Sequence, residues 1–220
     1  MSVAVADLIT GIRILLNDND EISWHSDELV AWINDAQKEI CVYKPDAYVA
    51  NEVVNAEGSK QSLPTGGLTL INVLSNQRGG VSGRVIRHIP KKVLDIQRPG
   101  WQTTAAESEA KVYTFDPRDQ KHFYLWPPLS TGGAIEIVYA KTPEEITSLD
   151  SLLVDDIYAT AVTSYVLFRA YSKDADYAAD DSRATAAYNH FIALMTGKES
   201  GERAHEPKSS TARADRVVEG

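Results

Sequence analysis

The side chains of this chain that could do chemistry are its paired carboxylates, its histidines, its one cysteine and a few aromatics beside turns. Gly197-Lys198 has the end of a phosphate loop, but Ile192, five positions earlier, replaces the first glycine of the cradle and continues a helical pattern. Asp18 and Asp20 could open a calcium loop. Ser23 stands where the turn glycine belongs and Leu29 where the terminal carboxylate belongs, which leaves a solvated turn between helices. His25, His88, His122, His190 and His205 show no paired spacing with cysteine or carboxylate that would make a zinc site. Ser82 in Gly80-Val81-Ser82-Gly83 lacks glycines at the right offsets on both sides and joins two expected strands in place of the strand-to-helix turn of a nucleophile elbow. Glu144-Glu145 and Asp155-Asp156 are adjacent acids that point apart in a first helical turn and suit its dipole. Trp101, Tyr124 and Trp126 could stack on a sugar or a base, although aromatics beside turns more often close a core. The spacing therefore supports no catalytic residue, no metal site and no cofactor.

The elements that would position these groups follow from periodicity. Val5, Leu8, Ile9, Ile12, Leu15 and Leu16 predict an amphipathic helix over residues 3–17. A second follows the polar turn Asn17-Asp18-Asn19-Asp20. Ser26 is placed to cap it, Asp27 and Glu28 complement its positive end, and Leu29, Trp32, Ile33, Ala36 and Ile40 share one face until Pro45 stops it. From about Tyr48 the pattern becomes short apolar runs between glycine-rich turns, which reads as strand. Gly79-Gly80 and Gly83 bracket a tight connection, and Pro90 suits the start of a short helix through Ile96. Further strands are expected over 111–115, 122–126 and 134–140, pairing antiparallel as a meander or sandwich. Helical spacing returns at Leu152: Ile157, Ala161, Val162, Tyr165 and Phe168 share a face, and Ala184, Tyr188, Phe191 and Met195 share another.

The expected fold class is α+β. Residues 1–47 and 150–197 would meet in a four-helix bundle, with 48–149 inserted as an antiparallel β lobe carrying one short helix. After Gly197 periodicity ends, so 198–220 is expected to be a flexible C-terminal arm.

Composition narrows the function classes. A net charge of −9 and a pI near 5.0 exclude a protein that wraps nucleic acid by neutralising phosphates, while an acidic wall past which DNA slides remains compatible. Cys41, the only cysteine, excludes an intrachain disulfide and reads as a small buried hydrophobe. No segment approaches the ~20 apolar residues that span a bilayer, so no membrane partner is expected, and the first residues lack the pattern of a secretory signal.

Several segments together resemble the head-to-tail adaptor proteins of tailed bacteriophages: Trp24 to Ile40, Lys91 to Trp101, Val112 to Pro117, Phe123 to Pro128, and Asp156 to Tyr158 with Tyr165 to Asp174. Their order and spacing, from about residue 5 to 196, carry the resemblance. It implies a non-enzymatic virion protein of the neck, at the head-tail junction, assembled in the host cytoplasm. Such adaptors form a ring, commonly of twelve copies, beneath the portal protein, receive the tail or nozzle protein, and line a channel through which DNA passes without specific binding during ejection. In that setting Arg203, Lys208, Arg213 and Arg216, which alternate with acids, and the apolar pair Val217-Val218 become candidate portal-binding residues. The alternative reading is a glycan- or receptor-binding tail module that uses Trp101, Tyr124 and Trp126.

Overall fold

In the computed structural model, which describes residues 2–173 and 178–205, the chain begins with α1 (Val5–Leu16) and α2 (Ser26–Tyr43). Strands β1 (Val49–Asn55), β2 (Gly58–Ser62), β3 (Gly67–Arg78), β4 (Val81–Val85) and the short β5 (Arg87–His88) follow, then α3 (Lys91–Gln97). Three more strands, β6 (Val112–Phe115), β7 (His122–Leu129) and β8 (Ala134–Lys141), precede α4 (Ala159–Lys173) and α5 (Ala178–His205).

The first helix stops because Asn17 turns left-handed at φ 56°, a conformation its short polar side chain tolerates, and its N–H bonds back to Ile14. α2 buries the expected face of Leu29, Trp32, Ile33, Ala36 and Ile40. Ser26, however, does not cap it. Ser26 is the first helical residue, and its hydroxyl instead accepts from Arg13 Nη2 at 3.0 Å and donates to Glu21 Oε1 at 3.0 Å. Cys41 is buried as expected, and desolvation pushes its thiol up to about 11.

The β strands form two four-stranded sheets, ordered β1-β8-β3-β4 and β2-β7-β6-β5. Alternation decides which side chains turn inward. Ile135, Ile137 and Tyr139 of β8 meet Phe123, Leu125 and Leu129 of β7 in one buried core, so the sheets close on each other as a sandwich. The first sheet is antiparallel throughout, while β5 runs parallel to β6. Gly79 and Gly80, at φ 55° and 80°, supply the two left-handed residues of the tight turn joining β3 to β4.

The four-helix bundle with an inserted lobe is overturned, although the α+β class stands: the described residues form five α-helices and two four-stranded sheets. Two physical reasons account for the difference. The β region is a sandwich with its own buried core, including Tyr139, Phe123 and Leu125, and does not depend on the helices for its interior. In the other half the non-helical connector after β8 sends Ile146, Leu152, Val154 and Tyr158 into the core, occupying space that a regular bundle would give to helix. The periodicity at Leu152 was misleading here. Ser151 bridges to Ala4, a single 3-10 turn spans Asp156–Tyr158, Ile157 is exposed, and α4 begins only at Ala159. α4 then packs against α1, α2 and α5.

Candidate interaction site

The groups considered for chemistry do not converge. Glu144 pairs with Lys141 at 2.8 Å and Glu145 with Lys38 at 3.2 Å, on exposed faces. Asp155 accepts from Ile157 N–H to cap the 3-10 turn, and Asp156 accepts from Val3 N–H at 3.0 Å, so each acid of that pair serves the backbone. His122 bonds Asp119 at 2.8 Å, and His190 bonds Ser164 at 2.8 Å, in different halves of the molecule. Ser82 lies on exposed β4. Among the described residues no group of three or more His, Cys, Asp or Glu side chains is placed to hold a metal ion.

Asp18 is the exception to the expectation of a solvated turn. Its carboxylate is buried and accepts from the backbone N–H groups of Ile22, Ser23 and Trp24, the last at 2.9 Å. The Trp24 N–H, then those of Ile22 and Ser23, with Arg13 nearby at 3.8 Å, hold Asp18 below the usual carboxylate range despite desolvation. The spacing of Asp18 to a following Ile-Ser-Trp run was the only sequence signal for this knot.

The three aromatics of the β half are largely spoken for. Trp101 is buried, donates its indole N–H to Asp95 at 2.8 Å, and meets Tyr124 edge to face at 5.9 Å. Lys91 lies 5.5 Å over the Tyr124 ring. Trp126 is covered by the Arg98 guanidinium at 4.5 Å and approached by Lys111 at 5.8 Å. The faces that would stack on a sugar therefore carry the protein's own cations. Beside them, between α3 and the strands β5 and β6, lies an open groove of about 450 Å³ lined by His88, Pro90, Lys91, Phe115 and Pro117.

What the surface offers instead is apolar side chains at edges and tips. In the helical half Ile14, Ile22, Val42 and Leu149 project to solvent, Leu149 at 95 % exposure. In the sandwich they include Ile71 on the inner strand β3, and Val49 and Val53 on β1 and Val81 and Val85 on β4, the two outer strands of that sheet. Residues exposed one by one are ordinary, but rows of them on unpaired edge strands mark contact surfaces. Of the candidate portal-binding residues, Arg203 falls within the backbone of α5, and Lys208, Arg213, Arg216, Val217 and Val218 lie outside the described residues.

Both the helical half and the sandwich thus leave apolar side chains exposed to solvent. The chain belongs to the SU10 adaptor protein family, whose model matches residues 3–215. It is a structural adaptor of a bacteriophage, a protein of the virion whose family interacts with portal and tail proteins. No curated protein matches the chain.

Proposed function

We propose that this adaptor forms a ring, of twelve copies, that sits beneath the portal, receives the tail or nozzle, and lines the channel through which DNA leaves. The family match across residues 3–215 carries the reading. The net charge of −9 supports it, because an acidic channel repels phosphate and lets DNA pass without adhering. Subunits with unpaired edges and exposed valines suit side-by-side packing. The segment from residue 198 onward, with Arg203, Lys208, Arg213, Arg216, Val217 and Val218, is the proposed portal contact, weak in one copy and sufficient when a whole ring engages.

Electron microscopy of the protein mixed with the portal of the same phage tests this reading. The expected image is a twelve-fold collar attached to the portal. A protein that stays monomeric and leaves the portal bare rejects it. Removing residues 198–220 shortens α5 at its C-terminal end and is expected to abolish or strongly weaken portal attachment while the fold stays intact; full attachment by the truncated protein rejects the arm.

A further inference from the structure

We propose that neighbouring copies join through opposite edges of the first sheet, β1 of one copy adding to β4 of the next. This rests on the ring reading above and names its contact. The order β1-β8-β3-β4 places these strands at the two ends of the sheet. Every neighbouring pair within it is antiparallel, so β1 and β4 run in opposite directions. A copy repeated head to tail, without being turned over, therefore brings its β1 antiparallel to the preceding β4, and the alternation of strand directions continues across the junction. Contact between two different patches is the heterologous kind, which closes into a ring when the rotation per copy allows.

Both edges are built to be covered. All five residues of β4 are exposed, with Val81 at 68 % and Val85 at 66 %, and on β1 Val53 is at 58 %. Neither strand carries the proline or lysine by which proteins commonly blunt a free edge. The five residues of β4 fit within the seven of β1, a run of about 17 Å at ordinary strand rise.

Charge selects the pairing. Arg78 at the turn and Arg84 on β4 are exposed and make no ion pair with any described residue. On β1 the one charged residue is Glu52, exposed beside the Tyr139 hydroxyl. Pairing β4 with a second β4 opposes arginines, and pairing β1 with β1 opposes glutamates. Only the mixed pairing brings opposite charges together.

Cysteine cross-linking of the full chain, assembled with the portal, tests the contact, since native Cys41 is buried and does not compete. Ser82→Cys is combined in turn with Val49→Cys, Asn51→Cys and Val53→Cys, which share one face of β1. Oxidation is expected to give a covalent ladder beyond the dimer from at least one double variant and none from the single variants. A ring visible by microscopy with no ladder from any pair overturns the edge contact and leaves the ring reading standing. Dimers from Ser82→Cys alone overturn it in favour of symmetric β4 pairing. Absence of any ring overturns both readings. As an independent check, Arg84→Glu and Glu52→Arg are each expected to lower the assembled fraction several-fold and their combination to restore it; no loss from either, or no rescue, counts against the pairing.

Discussion

The two halves of the chain satisfy their backbones differently. In the helical half the polar groups of the irregular connector are bonded to side chains of α2: Asn34 donates to Ile146 O and accepts Ile146 N–H, both at 2.9 Å, and Gln37 accepts Leu153 N–H at 2.7 Å. In the sandwich, β1 and β4 leave one flank of the first sheet open at each end. A buried backbone group without a partner is costly, whereas an edge group waits in water for another strand. The difference teaches where a further strand could be added without unfolding the chain: the backbone groups of the connector are taken by α2, whereas the outer flanks of β1 and β4 are not paired within their sheet.

The sharpest way to break that division is to empty both cores. Trp32→Ala in the helical core and Phe123→Ala in the sandwich core are each expected to cost about 3–5 kcal/mol, as large aromatic truncations do. The two clusters share no buried residue, so the double variant is expected to lose the sum within about 0.5 kcal/mol in denaturant unfolding. A coupling well beyond that shows that the halves share one core after all. A smaller effect is expected at the seam. Asn34→Ala strips two bonds from the buried Ile146 peptide, at a cost of about 1–3 kcal/mol, with faster hydrogen exchange at the Ile146 amide. Unchanged exchange there rejects the seam.

Legibility from sequence followed the same division. Strict patterns carried through: the face of α2, the alternation in β7 and β8, and the Gly79-Gly80 turn are read from residue type and spacing because each is a local steric or solvent constraint. The bundle failed because the helix expected from Leu152 does not start there: Leu152, Val154 and Tyr158 enter the core from an extended segment and a 3-10 turn, with the Leu153 N–H bound by Gln37 more than a hundred residues away in sequence. Periodicity counts apolar positions and is blind to the partner that fixes them. Ser26 failed for a similar reason, since Arg13 and Glu21 claim its hydroxyl before the helix end can. Of the site, the cationic cover over Trp126 and Tyr124 was not readable, because Arg98 and Lys91 belong to the segment around α3 whose docking no spacing rule gives.

Asp18 offers a pH-dependent comparison, since the knot it ties belongs to the helical half alone. Its folded pKa is lowered, so the stability it contributes is fully present above the unfolded value of about 3.9 and is lost as pH falls through the folded value. Asp18→Asn is expected to lower the melting temperature at pH 7, because an amide cannot accept all of the Ile22, Ser23 and Trp24 N–H bonds. The gap to the native protein is expected to narrow in the acid range. A gap that is constant from pH 7 to pH 3 assigns the loss to shape instead of charge.

The smallest expected effect is in the sandwich, at Arg98. Its guanidinium stands 4.5 Å from the Trp126 ring, while the indole N–H of Trp126 is buried without a hydrogen-bond partner. The ring is thus held by its faces alone. Arg98→Ala is expected to cost about 0.5–1 kcal/mol, the usual worth of such a contact near the surface. Arg98→Lys keeps the charge but loses the planar stack, so it is expected to recover only part of that loss. Indole fluorescence is a less specific readout in a chain of four tryptophans, which makes a Trp126→Phe background the control: there Arg98→Ala is expected to have a reduced effect. If the full penalty persists on that background, Arg98 acts through another neighbour, and Trp126 presents a ring that a planar ligand could take.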